Sequence, residues 1–211
     1  MIIVGGMIGL GKSSMAKLLG DYYQSEVFYE SVADNPILPL FYTATEEEIR
    51  QKRYPFLLQL HFLNAKVKSM QDASKSKNAI IDRSIFEDWY FAKINKDLDK
   101  ISDLEYDIYV NSLNNSLAYI ENLKEKEPVL MIYLKGSFET VLKRIMERGR
   151  SYELDNSLEA YYKKLWHGYD EWIMKYHDKE QLLIVDMDKT DIVHNEADAK
   201  RIIEMVEAKI N

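Results

Sequence analysis

Three groups of residues in this sequence have types and spacings suited to phosphate chemistry. The first is Gly6-Met7-Ile8-Gly9-Leu10-Gly11-Lys12-Ser13, which fits G-x-x-x-x-G-K-[ST]. Its glycines let backbone N–H groups curl around an anion without Cβ clashes. Lys12 can then reach the terminal phosphates of a nucleotide, and the Ser13 hydroxyl can hold Mg²⁺. A helix from Ser13 onward would aim its positive N-terminal end at the same anion. Gly6, Gly9, Gly11, Lys12, Ser13 and Ser14 are therefore the candidate triphosphate cradle. The second group is Asp82-Arg83-Ser84, a carboxylate and a guanidinium at the end of an apolar run. Asp82 can hold Mg²⁺ through water or take a proton from an attacking hydroxyl; the plainer reading is a strand-end salt bridge with Arg83. The third group is Arg144, Arg148 and Arg150. Arg144 and Arg148 share a helix face, and with Arg150 they can close over a triphosphate and offset its charge. The plainer reading there is a solvated basic face.

These residues need a scaffold that brings them to one crevice. Short apolar runs alternate with longer patterns of helical period. Strands are predicted at Met1–Val4, Val27–Tyr29, Ala79–Asp82, Val129–Leu134 and Leu182–Val185. Between and after them, helices are predicted at Ser13–Tyr23, Arg53–Ser74, Phe86–Asn95, Leu104–Lys124, Ser157–His177 and Ala197–Ile210, and another runs from a Ser137 cap through Arg148 with Gly149 at its C′ position. Asn35-Pro36 and Pro39 read as breaks, and Glu46–Lys52 as a polar, solvent-facing stretch. The alternation implies an α/β fold with a five-stranded parallel sheet covered by helices on both faces, and a short arginine-rich lid over about residues 144–156. In such sheets ligands sit beyond the carboxyl ends of the strands, which puts Asp82 opposite the glycine loop. No Gly/Ser-rich linker divides the chain, so residues 1–211 read as one domain.

Composition narrows the partners. The 211 residues carry a formal net charge of −7, and 46% are hydrophobic. An acidic balance argues against a nucleic-acid scaffold. There is no cysteine, so disulfides and thiolate metal sites are excluded. No basic leader precedes the first apolar run, and no stretch has the length of a membrane span, so a cytoplasmic protein is expected. His61, His167, His177 and His194 lack metal-ligand spacing, and Trp166, Tyr169 and Trp172 read as core at helical spacing.

Taken in order, the motifs resemble the deoxyribonucleoside kinase family, most closely the bacterial deoxyadenosine and deoxyguanosine kinases. The resemblance runs from the glycine loop through Phe28-Tyr29-Glu30, Asn35-Pro36 and Gln59 to Asp82-Arg83-Ser84 and Glu87-Asp88. It continues through Arg144, Arg148-Gly149-Arg150 and Glu153 to Asp186-Met187-Asp188 and Asp191. It implies a P-loop kinase fold and transfer of a phosphoryl group from ATP, with Mg²⁺, to the 5′-hydroxyl of a purine deoxyribonucleoside in nucleotide salvage. By position, Glu30 resembles the carboxylate that binds the acceptor hydroxyl and serves as base, and Asp82 a magnesium or base partner. Arg83 resembles the arginine that steadies the 5′ site, Gln59 the amide on the base edge, and Glu153 the acceptor of the sugar 3′-hydroxyl. Arg144, Arg148 and Arg150 match lid arginines. Asp186–Asp191, with Asp186 and Asp188, resembles the loop cradling the donor adenine. Tyr42, with Tyr54 second, is the candidate for the sugar, and Phe91 and Phe62 are candidate walls for the base. Lys66 stands where relatives use an arginine, and is expected to meet Asp88 across the base pocket.

The resemblance also implies a homodimer, or a heterodimer with a paralogous subunit; Tyr109, Leu113 and Leu117 supply either its face or core. It further implies feedback by a deoxynucleoside triphosphate. Alternatives are a deoxycytidine or broad-specificity kinase, a nucleoside monophosphate kinase, and a non-catalytic nucleotide-binding subunit. The sequence contains no N-K-x-D motif of the kind that reads guanine in GTPases.

Overall fold

The computed structural model describes residues 1–32, 34–76, 78–122 and 130–210. The predicted helix end at Lys124 and strand start at Val129 lie outside them. Five parallel strands form one sheet in the order β2-β3-β1-β4-β5. They are β1 Ile2–Gly6, β2 Glu26–Phe28, β3 Ala79–Asp82, β4 Leu130–Lys135 and β5 Leu182–Asp186. The inner strands are near-continuous apolar runs because both sheet faces are covered: Val4, Ile80, Ile81, Ile132 and Leu134 are all buried.

The register decides what meets beyond the strand ends. Val4 is level with Asp82, and Phe28 with Ile81. Gly6, Asp82 and Glu30 therefore emerge along one edge of the sheet. The connection from β1 to β2, through α1 (Lys12–Tyr23), runs across the sheet in the opposite direction to all later crossovers. Right-handed crossovers then put α1 on one face and the intervening helices on the other. At the far end α1 meets the last helix, α9 (Glu196–Ile210), where the Tyr22 hydroxyl donates to Glu207.

Two segments differ from the sequence expectation. Pro39 does not break structure: it sits in the first turn of a short helix, α2 (Leu38–Thr43), where its missing N–H is no loss. The acidic stretch after it is also helical, α3 (Glu46–Lys52), closed by a reciprocal capping box between Thr45 and Glu48. The long helix α4 (Tyr54–Ala73) follows at once, and Arg53 makes the corner between α3 and α4 at φ 54°. That left-handed backbone is tied down by ion pairing of Arg53 with Glu105 on α6 (Asp103–Asn122).

A satellite core joins α4, α5 (Ile85–Asp97) and α6. Tyr109 and Leu113 are fully buried there against Leu63, Ile85 and Ala92, so they are core rather than an outward face. Leu117 packs on the same cluster, partly buried. The remaining helices are α7 (Phe138–Arg148) and α8 (Glu159–Tyr176). Ser137 caps α7 through the Thr140 N–H, and Gly149 ends it in the left-handed region, as the sequence predicts. Among the described residues no helix is long and apolar enough to cross a membrane.

Candidate active site

A cavity of about 530 Å³ opens beyond the carboxyl ends of the strands, a size ordinary for a nucleoside or drug-sized ligand. Gly9, Gly11, Lys12, Ser13 and Ser14 form one end of its wall. Gly9 and Gly11 take φ of 84° and 90°, a backbone shape that side chains with a Cβ disfavour. Lys12 is folded onto the loop, its ammonium donating to the carbonyls of Gly6 and Met7 at 2.9 and 3.1 Å. Burial lowers its pKa to about 8, and nearby Arg83 pushes the same way against Asp82, Glu30 and Glu87.

Glu30, Asp82 and Arg83 line the middle of the cavity. The Ser13 hydroxyl donates to Asp82 Oδ2 at 2.6 Å, while Asp82 Oδ1 is buried with no hydrogen-bond partner among the described residues. Burial raises the pKa of Asp82 despite Lys12. Glu30 goes the other way: burial pushes it up, but Arg83, Lys12 and Lys66 outweigh that and hold it below the usual carboxylate range. Arg83 Nε lies 2.6 Å from Glu30 Oε1, an ion-pair contact that is off the axis of a hydrogen bond. Arg83 also stacks its guanidinium 4.7 Å from the centre of the Phe91 ring, a cation–π contact. Its backbone is left-handed at φ 71°, unusual for a non-glycine residue and common at functional sites.

Another part of the wall is rich in aromatic side chains. Tyr42, Phe62 and Phe91 line it with Gln59 and Asp88. Gln59 Oε1 and Asp88 Oδ2 are buried without protein partners among the described residues. Both are therefore free to meet the polar edge of a flat ligand. Arg148, the last residue of α7, and Arg150 and Glu153 in the segment after it also line the cavity. Glu153 is buried and pairs with Arg148, and with Arg150 at 3.4 Å. Tyr42 stacks on Tyr152 of the same segment, with centroids 5.8 Å apart.

Three expectations need correction. Lys66 does not pair with Asp88. It lies beneath the end of β3, where its ammonium donates to the carbonyls of Asp82 and Arg83 at 2.7 and 2.8 Å. Two buried carbonyls at ideal range hold it away from the cavity. Arg144 is not over the cavity either: its guanidinium is taken up by the carbonyls of Leu10, Met187 and Thr190. It stitches the loop after β5 to the glycine loop. Asp186, the last residue of β5, pairs with Lys189, and in that loop Asp188 accepts from the Ser137 N–H and hydroxyl. Neither carboxylate lines the cavity; both lie in the segment that the resemblance assigns to the donor adenine. Tyr54 also stays outside the cavity wall.

Two residues behind the site were given no polar role by the sequence, Glu87 standing only inside a motif and Tyr169 only as core. Glu87 accepts hydrogen bonds from Gly6 N–H and Ser84 N–H. The signal was present, since Ser84-Ile85-Phe86-Glu87 is a capping box. Tyr169, read only as core, donates to Glu87 from far along the chain, and no local pattern announces it.

Burial pushes Asp88 up to about 7, Lys66 opposing and Glu30 adding to the rise. An unfolded aspartate titrates near 3.9, so between there and about 7 the folded state holds the extra proton. Stability must then fall as pH rises through that window and level off above it. The melting temperature is expected to drop between about pH 5 and pH 7.5 more steeply than in Asp88→Asn. Parallel curves for the two proteins would assign the slope to other groups.

Among the described residues no three His, Cys, Asp or Glu side chains cluster as a metal cage. Ser13 and Asp82 nonetheless fit an ion that takes its other ligands from phosphate and water, because Asp82 Oδ1 is an unpartnered buried carboxylate oxygen beside the loop.

Against this geometry the comparisons with known proteins are consistent with one another. The family described as deoxynucleoside kinase matches residues 2–211. A deoxyguanosine kinase of Lactobacillus johnsonii is 39% identical, with 100% of this chain and 92% of that protein aligned. A deoxyadenosine kinase of Lactobacillus acidophilus is 37% identical over 100% of this chain and 96% of that one. The solved deoxyadenosine kinase of M. mycoides with bound dCTP superposes with a TM-score of 0.79 at 27% identity, covering 99% of this chain and all of that one. The same enzyme with bound dATP gives 0.79 at 28% identity.

Proposed function

Because the chain belongs to the deoxynucleoside kinase family, we propose that it phosphorylates the 5′-hydroxyl of deoxyadenosine or deoxyguanosine with ATP in cytoplasmic nucleotide salvage. One observation carries the purine reading: a single cavity joins the glycine loop to a slot lined by Gln59, Phe62, Asp88 and Phe91, and relatives at 37–39% identity are named for purine deoxynucleosides.

In this reading the donor triphosphate lies along Gly9–Ser14, with Arg148 and Arg150 above it. Bound Mg²⁺, held by Ser13 and Asp82, would supply charge neutralisation of the phosphates. Glu30 acts as base. It is ionised, faces the cavity and is steered by Arg83, whereas Asp82 is engaged with Ser13. Glu153 takes the sugar 3′-hydroxyl, and its pairing with Arg148 ties sugar binding to the lid. Gln59 and Asp88 read the base edge between Phe62 and Phe91.

A purine deoxynucleoside triphosphate should inhibit by placing its base in that slot and its phosphates on the loop, competing with both substrates. Triphosphate-bound structures of the M. mycoides relative support that reading. Inhibition indifferent to nucleoside concentration would reduce it to occupancy of the donor site. A homodimer is supported by the exposed Leu57, Leu104, Ile108 and Tyr119 on α4 and α6; a monomer in sedimentation velocity would remove it.

The direct test is kcat/KM across the four deoxynucleosides and their monophosphates with MgATP. Deoxyadenosine or deoxyguanosine is expected to exceed deoxycytidine and thymidine by at least about tenfold. A thymidine preference, or transfer only to monophosphates, would overturn the assignment.

A further inference from the structure

Glu87 is completely buried, and its nearest cation, Arg83 Nη1, is 4.0 Å away. A carboxylate so placed must be held by dipoles. Oε1 accepts from the Gly6 N–H at 2.8 Å and the Tyr169 hydroxyl at 2.6 Å. Oε2 accepts from the Ser84 N–H at 2.7 Å. Gly6 begins the phosphate loop, and its carbonyl receives the Lys12 ammonium. Ser84 follows Arg83, whose left-handed backbone is held by three bonds. The Arg83 N–H donates to Val4, its carbonyl takes Lys66, and the next N–H is the one on Glu87. One carboxylate thus spans the donor loop and the acceptor-side strand end. Tyr169 adds α8 to the junction: its hydroxyl lies 3.1 Å from the Gly6 carbonyl and accepts from Arg83 Nη1 at 3.2 Å.

The glycine before the loop fits the same device. A Cβ on Gly5 would lie 2.5 Å from Glu87 Oε2 and 2.2 Å from Met131 Cε. The carboxylate needs the space that only glycine leaves.

We infer that Glu87 is a positioning residue for phosphoryl transfer, fixing the separation between Lys12 on the donor loop and the Arg83–Glu30 pair at the acceptor, with Tyr169 as its second anchor. The inference rests on the kinase reading above. It differs sharply from a helix-capping role. A capping box accepts glutamate or glutamine at this position. Here both oxygens accept backbone N–H groups, and an amide has only one oxygen. Glu87→Gln must therefore set an N–H against an N–H on one side of the junction.

The test compares Glu87→Gln and Tyr169→Phe with wild type, using active-site titration so that rates are per folded site. In Glu87→Gln, kcat is expected to fall about thirtyfold, with both KM values within about threefold, because misplacement costs the transfer step more than binding. Tyr169→Phe, which keeps the ring packing, should lose about fivefold in kcat. Glu87→Gln with kcat within about twofold of wild type, whatever its melting temperature, would leave Glu87 a cap and overturn the inference. If Glu87→Gln does not fold, Tyr169→Phe decides by the same criterion. The wild-type rates in this assay test the kinase reading itself; the variant-to-wild-type ratio tests Glu87.

Discussion

Glu30→Gln is expected to lower kcat by about 10²-fold or more while nucleoside KM moves only a few-fold. Glutamine keeps the shape and can still accept a hydrogen bond from a 5′-hydroxyl, so binding survives. What it cannot do is take the proton. Glu30 is suited to that task by its neighbours: burial alone would favour the neutral acid, but Arg83, Lys12 and Lys66 reverse the balance and keep it ionised. The same Arg83 contact, 2.6 Å from Nε to Oε1, sets the direction of the carboxylate. A second consequence separates Glu30 from Asp82. Asp82→Asn also loses turnover, but it disturbs the Ser13 hydroxyl, to which Asp82 is bonded at 2.6 Å, so its defect should deepen at low Mg²⁺ and that of Glu30→Gln should not. Measuring kcat for both variants across a magnesium series distinguishes them. Near-native turnover in Glu30→Gln would move the base elsewhere in the cavity.

Much of this arrangement is legible in the sequence, for a physical reason. The glycine loop, the strand-end Asp82 and the Ser137–Gly149 helix are signalled by residues adjacent in the chain, where backbone chemistry dictates the pattern. A parallel sheet then fixes the rest: once β1, β2 and β3 run the same way, Glu30 and Asp82 must emerge beside the loop. What could not be read is where long, flexible cations go. Lys66 and Arg144 sit on the expected helices, yet each is captured by backbone carbonyls that only the folded chain assembles. A charge pattern reports that a cation is present, not whether a carboxylate or a carbonyl wins it.

Helix α3 and its corner at Arg53 show the same limit in the backbone. The capping residues Thr45 and Glu48 mark a helix start that a stretch with Ile49 as its one apolar residue obscures. The corner itself depends on Glu105, on a different helix. Tyr169 is the extreme case. Its spacing with Trp166 and Trp172 gives a core position, and it is buried, but its hydroxyl meets Gly6, Arg83 and Glu87 across the whole fold. Burial was predictable from the period; the polar function of the buried atom was not.

The largest single effect is expected from Lys12→Ala, with kcat falling by about 10³-fold or more. Lys12 is nearly inaccessible, and its ammonium already lies over the loop on the carbonyls of Gly6 and Met7. In the proposed reading, rotation of the side chain would exchange those carbonyls for the oxygens of a bound triphosphate. Burial lowers its pKa to about 8, which still leaves it mostly charged at pH 7, and a phosphate alongside would favour the charge further. Alanine removes the cation but leaves the N–H groups of Gly9–Ser14 and the guanidiniums of Arg148 and Arg150, so the nucleotide should still bind. Loss is therefore expected in kcat far more than in nucleotide affinity measured by calorimetry. Lys12→Arg should not restore activity, because a planar guanidinium is bulkier than the ammonium and does not fit a slot closed by two carbonyls. Turnover of Lys12→Ala within about tenfold of wild type would mean that Arg148 and Arg150 carry the developing charge alone, and the donor half of the site would have to be redrawn around the lid.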